Sequence, residues 1–436
     1  MSDKSINISK EVPVVGNYDV VICGGGPSGF IAAIAAAREG ARTALIERYG
    51  FLGGMATAAY VTPMSVFSYN GQRIVGGIPW EFVKRLEGMN GALIEQPLNN
   101  VAFDPELYKL CAQDMLDEAH VVCYMNSYLT DVVCADQIIS HLVFENKNGA
   151  EAVSARIVID ATGDADVCHK VQAPMQPEED VPRQPASLCF ILSGVDTTSE
   201  MMKCMHHNTQ GKNCHCLPVR EKLLELQKKM KVPNFGGPWF CTVLHPGTVA
   251  VNATRTMTDV CDNRDFSSAE KRLRKDVYVL TGILKEYIPE FRNCWVASVG
   301  VQAGPRESRR ILGVHTITGE EYFSAYEYED SIARGAHPID IHRDRDTNQD
   351  IHFLEKAAFV PYRSLYMRDY PNLLVSGRCI SADKRAFAAI RVQATAMGIG
   401  QAAGVAAAMA SENNCSVQDV NSELLRMRLR EHGAVI

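Results

Sequence analysis

The most constraining feature of this sequence is a glycine-rich turn between a short apolar run and an alanine-rich run. Residues 18–29 read Tyr-Asp-Val-Val-Ile-Cys-Gly-Gly-Gly-Pro-Ser-Gly. The length and β-branching of Val20–Cys23 predict a buried strand, and the composition of Phe30–Arg38 predicts a helix. A second apolar run, Ala41–Ile46, follows and ends at Glu47. This order of strand, glycine turn, helix and strand predicts one βαβ unit.

The glycine spacing Gly24-x-Gly26-x-x-Gly29 indicates what this turn binds. Gly24 permits the tight turn, Gly26 lets the backbone approach a pyrophosphate, and Gly29 lets the helix pack on the sheet. The N-terminus of the helix presents free N–H groups to the anion. Glu47, at the end of the second strand, can accept hydrogen bonds from ribose hydroxyls. The pattern therefore predicts a dinucleotide site, and a glycine turn without a ligand is the alternative.

Further local patterns predict the other elements. Asp104-Pro105 places a good N-cap before a proline and so predicts a helix to about Glu118. Four short β-like runs follow, separated by Asn and Gly turns, and predict a meander. They span residues 121–124, 128–133, 138–145 and 152–159. Two amphipathic helices are expected near 220–230 and 268–286, a buried strand at 372–377, and a long Ala/Gly helix from about 395 to 409.

The length of 436 residues suits two domains, and the composition, 46% hydrophobic and 22% charged, is that of a globular protein. Four prolines between residues 174 and 185 indicate a crossing between domains. We therefore expect an α/β fold with a Rossmann-type nucleotide-binding domain, a parallel central sheet and an inserted β-meander, formed by residues 14–170 and 355–436. A smaller mixed α+β substrate domain is expected at 171–354, to which residues 60–100 could contribute.

Charge and cysteine content limit the partners and the compartment. The net charge of −7 lacks the basic surface that nucleic-acid binding requires. The first dozen residues do not resemble a secretory signal, and no apolar stretch is uninterrupted enough to span a membrane. Fourteen cysteines without an export signal are expected to be reduced thiols. We therefore expect a cytoplasmic protein, which could form a homo-oligomer.

Several longer segments resemble a known family. They are Phe51-Leu-Gly-Gly-Met-Ala-Thr57, Asp160-Ala-Thr-Gly-Asp164, Arg306-Glu-Ser-Arg-Arg-Ile311, His337-Pro-Ile-Asp-Ile-His342 and Gly377-Arg-Cys-Ile-Ser381. Together they resemble flavoproteins with a glutathione-reductase-type FAD domain, and more narrowly the bacterial FAD-dependent oxidoreductases, which are related to fumarate reductase and succinate dehydrogenase flavoproteins. The resemblance covers about 18–170 and 300–410, whereas 175–295 resembles nothing that we can name.

The resemblance implies an FAD site with these members: Gly24, Gly26, Pro27, Ser28, Gly29, Glu47, Arg48, Gly54, Met55, Ala56, Val132, Val133, Ala161, Gly163, Asp164, Gly377, Arg378, Arg391, Val392 and Gln393. Among them, Val132 or Val133 would meet the adenine, and Arg391–Gln393 would face the pyrimidine edge of the flavin. The positive end of a helix would also stabilise an anionic reduced flavin there. Some related flavoproteins attach FAD through a histidine, but residues 50–60 contain none, so non-covalent FAD is expected.

Candidate catalytic residues come from the same segments. Arg306, Arg309 and Arg310 could clamp a carboxylate. His342 oriented by Asp340 would make an acid–base pair, with His337 close in sequence. The further candidates are Arg363 and Arg391. Salt bridges for the arginines and structural roles for the histidines are the alternatives.

Three other features leave alternatives open. The cysteine–histidine cluster could bind a metal, although its spacing matches no strong pattern and a reduced loop is the simpler interpretation; its members are Cys204, His206, His207, Cys214, His215 and Cys216. Cys379 could take part in redox chemistry or be a small buried residue. Gly398, Gly400 and Gly404 lie within a helix, where close packing is expected instead of a second nucleotide site. NAD(P)H could still react at the flavin without a dedicated domain.

The expected function is an FAD-dependent oxidoreductase that transfers hydride between flavin N5 and a small polar or acidic substrate, by dehydrogenation or C=C reduction. A hydroxylating monooxygenase shares the FAD domain, but its Gly-Asp-Ala-Ala-His-type segment is replaced here by Ser376-Gly-Arg-Cys. A flavin-binding protein without turnover, or one related to RNA modification, is the third alternative. No metal site is expected.

Overall fold

A computed structural model describes residues 6, 8–95, 100–177, 183–199, 201–202, 218–242, 244–342 and 349–436. Its helices are α1 (Pro27–Arg38), α2 (Met55–Ala58), α3 (Gly77–Gly88), α4 (Pro105–Glu118), α5 (Asp166–Lys170), α6 (Pro218–Gln227), α7 (Asn263–Tyr287), α8 (Gly319–Ser324), α9 (Lys384–Ile390), α10 (Gln393–Asn413) and α11 (Ser422–Glu431). Its strands are β1 (Val14–Cys23), β2 (Thr43–Ile46), β3 (Ser68–Tyr69), β4 (Gln72–Arg73), β5 (Ala92–Glu95), β6 (Asn100–Phe103), β7 (Val122–Tyr124), β8 (Tyr128–Ala135), β9 (Ile138–Asn146), β10 (Gly149–Asp160), β11 (Phe190–Ser193), β12 (Phe235–Thr242), β13 (Thr248–Thr254), β14 (Trp295–Val299), β15 (Ser331–Gly335), β16 (Ile339–His342), β17 (Gln349–His352), β18 (Ala358–Pro361) and β19 (Leu373–Val375).

The largest sheet combines a parallel half with an antiparallel half. Its order is β7-β2-β1-β10-β9-β8, and β19 pairs with the end of β10. Strand β10 joins the two halves: residues 149–154 pair antiparallel with β9 on one side, and residues 152–160 pair parallel with β1 on the other. The fold is therefore α/β with a parallel-rich central sheet and an inserted meander, which confirms the predicted class.

One of the four runs assigned to the meander belongs elsewhere. Strand β7 pairs parallel with β2, so the run at 121–124 is an edge strand of the parallel half, and the meander assignment was wrong for it. The reason is its connection. Helix α4 precedes β7, and a helical crossover returns the chain parallel to the earlier strand. Only β8, β9 and β10 form the meander.

Helix α10 packs on α1 at glycine positions. A Cβ atom on Gly400 would lie 2.2 Å from the Ser28 carbonyl oxygen, and one on Gly404 would lie 2.2 Å from the Ala32 carbonyl oxygen. Only glycine allows this approach of two backbones. The expected role of these glycines in close packing is confirmed, and the contact places the start of α10 beside the glycine turn.

A second hydrophobic core lies in the middle of the chain. Strands β12-β13-β11-β14 form an antiparallel sheet. Apolar side chains of α6 and of one face of α7 join this core, which runs from Ala186 to Ala303. From Ile311 onward the chain contributes to the first core again. The second core is thus narrower than the predicted second domain, 171–354, because strand β15 packs on α10 and helix α8 packs on α9 instead.

Within the described part of the chain, no helix combines the length and the apolar character needed to cross a bilayer.

Candidate active site

A cavity of about 340 Å³ lies between the two cores. Its walls include the glycine turn after β1, the end of β2, the start of β8 and the residues that precede α10. The second core contributes Ser187, Cys189, Trp239 and Asn252. A cavity bounded by two cores is the usual location of a cofactor and its substrate.

The glycine turn leaves room for a ligand at the start of α1. Gly24 has φ +99°, and a Cβ on Gly29 would lie 1.8 Å from the Gly24 carbonyl oxygen, so both positions need glycine. At Gly26 the nearest atom to an added Cβ is 3.9 Å away, on Gly54. The first turn of α1 contains no acidic residue. Its free N–H groups therefore offer a positive site for a phosphate group.

Glu47 is buried at the end of β2 and holds the loop around it. Its carboxylate accepts hydrogen bonds from the backbone N–H of Gly25 at 2.6 Å and of Tyr49 at 2.8 Å. Burial raises the pKa of Glu47 and these two hydrogen bonds oppose the rise. The carboxylate lines the cavity, so its remaining acceptor capacity is open to ribose hydroxyls.

Two aspartates with arginine partners lie at the next part of the wall: Asp166 lines the cavity and Asp164 lies behind it. Asp164 pairs with Arg378 at 2.9 Å. Burial opposes ionisation of Asp164, but the charges of Arg378 and Arg48 and the hydrogen bonds from Ser308 and Arg378 together outweigh burial and lower its pKa. Asp166 pairs with Arg309 at 2.5 Å. Burial, reinforced by the charge of Asp164, raises the pKa of Asp166 to about 6.

The adenine-side prediction does not match the geometry. Strand β8 meets the cavity at Ser127, Tyr128 and Leu129, whereas Val132 and Val133 lie further along the strand and do not line it. Val133 is 49% exposed at the surface. The correction follows from the direction of β8, which runs away from the cavity after its first two residues.

Two side chains at the start of α10 carry buried polar atoms that have no hydrogen-bond partner among the described residues. Gln393 donates from Nε2 to the Val61 carbonyl oxygen at 2.7 Å, but its Oε1 is buried without a hydrogen bond among the described residues. Nε of Arg391 is also buried without a hydrogen bond to any described residue. Buried polar atoms are normally satisfied, so these two indicate a missing polar ligand at this wall.

A group of charged and aromatic residues forms what we call the polar end of the cavity. The members that line the cavity are Trp239, Arg306, His337, Asp340, His342 and Arg391, and Arg255 contacts His342 from behind. His342 donates or accepts at both ring nitrogens: Nε2 lies 3.0 Å from Asp340 Oδ2, and Nδ1 lies 2.5 Å from Arg255 Nη2. The Trp239 ring meets the His342 ring edge to face at 5.5 Å.

Arg306 is anchored to the second core by its guanidinium. Nη1 donates to the Pro185 carbonyl oxygen at 2.6 Å and to Ser187 Oγ at 2.7 Å. Burial and the charges of Arg255 and Arg391 lower the pKa of Arg306 to about 9. The carboxylate of Asp340 therefore acts on two guanidinium groups at this end, those of Arg306 and Arg391.

The protonation states of the histidines and of Asp340 follow from their burial and from the nearby charges. Burial and the charge of Arg306 lower the pKa of His342 well below its ordinary value. Burial also lowers the pKa of His337, which Asp340 opposes. Burial opposes ionisation of Asp340, but the hydrogen bond from His342 and the charge of Arg391 hold its pKa below the ordinary value. At neutral pH, Asp340 is thus anionic and both imidazoles are neutral.

Most of the predicted site residues line the cavity, and a few do not. Gly24, Gly26, Pro27, Ser28, Glu47, Arg48, Gly54, Met55, Ala161, Gly163, Gly377, Arg378, Arg391, Val392, Gln393, Arg306, His337, Asp340 and His342 are among the lining residues. Gly29, Ala56 and Asp164 lie behind the wall. Three of the candidate arginines do not line the cavity and pair with carboxylates instead. Arg309 is held by Asp166 and the Asp164 carbonyl oxygen, Arg310 by Glu307 at 3.0 Å, and Arg363 by Asp330 at 3.0 Å.

Sequence reasoning missed Trp239, Asn252 and Arg255. They lie on or just after β12 and β13, in the region without a family resemblance. No local sequence pattern marks these residues, and the burial of Arg255, which is 2% exposed after a core strand, is visible only in the structure. A buried arginine is rare unless it serves a charged or polar partner.

The remaining candidates are a metal site and Cys379. No group of three His, Cys, Asp or Glu with metal-binding geometry exists among the described residues. The cluster Cys204, His206, His207, Cys214, His215 and Cys216 falls outside them. Cys379 is fully buried, its Sγ lies 3.6 Å from the Ser376 carbonyl oxygen, and burial raises its pKa, as for a small structural residue.

Comparison with known proteins identifies the class. The family model of the FAD dependent oxidoreductases matches residues 19–429, so the chain belongs to this family. It is an enzyme, an oxidoreductase, and its cofactor is FAD. A 42-residue segment is 55% identical to dihydrolipoyl dehydrogenase of Trypanosoma brucei brucei; it covers 10% of this chain and 9% of that enzyme.

Two solved structures resemble the whole chain at low identity. A geranylgeranyl bacteriochlorophyll reductase-like protein of Thermoplasma acidophilum is 14% identical, with a TM-score of 0.47, over 96% of this chain and 84% of that one. The flavin-dependent brominase Bmp2 is also 14% identical, with a TM-score of 0.47, over 95% and 83%. These likenesses are too weak to bear on the reaction.

Proposed function

We propose that the enzyme transfers hydride between N5 of non-covalently bound FAD and a small organic acid. The observation that carries this proposal is the polar end of the cavity, where the buried guanidinium groups of Arg306 and Arg391 line the same wall as Asp340. Guanidinium groups that line a cavity can donate hydrogen bonds to an anionic substrate. Bound FAD supplies a two-electron acceptor or donor for such a substrate.

The residues present fit FAD. The start of α1 would hold the pyrophosphate, because Gly26 leaves open space and the helix end is free of acidic side chains. Glu47 would bind the adenosine ribose, and Ser127–Leu129 would border the adenine. Oε1 of Gln393 and Nε of Arg391 would find partners on the polar edge of the flavin.

The chain's own groups would bind the acid before the reaction. Arg306 is fixed by the Pro185 carbonyl oxygen and Ser187, so its remaining N–H groups have a set direction. A guanidinium held in this way loses little conformational freedom when it binds a carboxylate. Burial strengthens the attraction, because the medium screens charges less than water does. Trp239 covers His342 and helps to exclude water from this end.

Anaerobic reduction of the bound flavin tests this function. The purified holoenzyme is mixed with small hydroxy acids and, as matched controls, with the corresponding primary amides, and bleaching of the flavin is followed. Acids should bleach the flavin and amides should not. Equal bleaching by both, or hydroxylation of the compound in the presence of oxygen, would contradict the proposal.

A pair of variants links the result to the cavity. Arg306→Gln should lower kcat/KM roughly 10- to 100-fold, since a hydrogen bond to a charged group contributes about 1.5–3 kcal/mol. Arg363→Gln is the matched control, because Arg363 pairs with Asp330 outside the cavity. Its kcat/KM should remain that of the wild type.

A further inference from the structure

We infer that His337 is the residue that exchanges a proton with the substrate, and that His342 is a positioning residue held in one neutral form. This inference rests on the proposed function, and it adds the assignment of the proton. The two histidines are five residues apart and both line the cavity. Their hydrogen bonds distinguish them.

Both ring nitrogens of His342 are occupied by protein groups. Arg255 Nη2 can only donate, so His342 Nδ1, 2.5 Å away, must accept. The proton of the neutral ring is then on Nε2, which donates to Asp340 Oδ2 at 3.0 Å. No lone pair of this imidazole remains for a substrate. A second proton on Nδ1 would face a guanidinium at hydrogen-bonding distance.

His337 has the opposite arrangement. Its Nδ1 lies 2.8 Å from the Pro338 carbonyl oxygen, which can only accept, so Nδ1 carries the proton. Nε2 therefore has a free lone pair and makes no hydrogen bond to any described residue. Two charged groups face this ring, the carboxylate of Asp340 and the guanidinium of Arg391. Asp340 would stabilise the imidazolium that forms when Nε2 takes a proton.

The chemical step balances with this assignment. In the oxidation of a hydroxy acid, the substrate O–H bond breaks and its proton moves to His337 Nε2. The C–H bond breaks with loss of hydride, two electrons leave with the hydrogen to the oxidised cofactor, and a C=O bond forms. In the reverse direction, His337 returns the proton to the carbonyl oxygen. Asp340 and the pair Arg255–His342 hold the surrounding charges in place.

The protonation pattern can be measured without turnover. Holoenzyme labelled with ¹⁵N only at histidine is studied by NMR near neutral pH, and the two rings are assigned from His337→Gln and His342→Gln. We expect His342 to carry its proton on Nε2 and His337 on Nδ1. The reverse pattern, or a His342 ring that titrates like a free imidazole, would overturn the assignment.

Kinetics of flavin reduction give the second test. Glutamine at 342 can replace both hydrogen bonds, because its carbonyl accepts and its amide donates. His342→Gln should therefore keep the rise of the reduction rate with pH, with a loss of less than about tenfold. His337→Gln should lose this rise and about 10²- to 10⁴-fold in rate, the usual contribution of a general base. A pH-dependent limb retained in His337→Gln and lost in His342→Gln would contradict the inference.

The two proposals fail in different ways. If acids do not reduce the flavin, the proposed function fails, whereas the NMR pattern of the two rings remains measurable. If acids reduce the flavin but both variants keep the wild-type pH profile, only the role of His337 is wrong.

Discussion

Replacing Gly404 by alanine should strain the contact between α1 and α10. The added Cβ would lie 2.2 Å from the Ala32 carbonyl oxygen and 2.8 Å from Ala35 Cβ, whereas ordinary contacts begin near 3.4 Å. To restore an ordinary contact, the two helices would have to separate by more than 1 Å along the direction from the added Cβ to the Ala32 carbonyl oxygen. Overpacking of this kind costs about 1–3 kcal/mol.

Gly398 provides the matched control on the same helix. An added Cβ there would lie 3.6 Å from Ala333 Cβ, an ordinary contact. Alanine gains about 1 kcal/mol over glycine in a helix interior, and this gain is common to both variants. The difference in free energy of unfolding between Gly398→Ala and Gly404→Ala therefore measures the strain alone, about 1–3 kcal/mol.

Urea unfolding of the FAD-saturated protein, followed by far-UV circular dichroism and by flavin release, is the assay. Gly398→Ala should be slightly more stable than the wild type. Gly404→Ala should be less stable than Gly398→Ala and should release flavin at lower urea, since α10 begins at the cavity wall. Equal midpoints for the two variants would refute the close approach of the helices.

Three more changes test the site and the fold. Glu47→Gln should weaken FAD binding about tenfold, because two charge-assisted hydrogen bonds become neutral ones; equilibrium dialysis measures the Kd, and a wild-type Kd would contradict the role of the carboxylate. Asp166 has its pKa raised to about 6, so its contribution to stability is full below pH of about 4 and is lost as pH rises through about 6; the pH profile of thermal unfolding should lose this slope in Asp166→Asn. Asp104→Ala removes a cap that accepts from two backbone N–H groups of α4 and should cost about 1 kcal/mol in urea unfolding.

Sequence patterns predicted those elements that depend on interactions between residues close together in the chain. The glycine turn requires a left-handed Gly24 and a close approach at Gly29, and only one residue type satisfies each position. The cap at Asp104 and the alternation of apolar residues likewise act within a few residues. For this reason α1, α4, α7 and α10 were predicted with bounds close to those observed.

Pairing between distant segments could not be predicted in the same way. The run at 121–124 has the same β propensity whether it joins the meander or the parallel edge, and only its position after α4 decides the outcome. The partners of Arg309 and Arg363 are equally non-local. A carboxylate 143 residues away holds the first, and nothing in the sequence near either arginine indicates a salt bridge.

The polar end of the cavity shows why the glycine turn is more predictable than the candidate catalytic residues. The glycine turn that would hold the pyrophosphate uses backbone N–H groups and small residues in one contiguous motif, so the sequence records it directly. The polar end is assembled across the two cores instead: Arg255 and Trp239 come from the second core, and His342 and Asp340 come from the strand β16. No pattern in the neighbouring sequence distinguishes any of these side chains as a site residue. The tautomer of His342 exists only because Arg255, which follows β13, meets β16 at this cavity, whereas the free nitrogen of His337 follows from its neighbour Pro338.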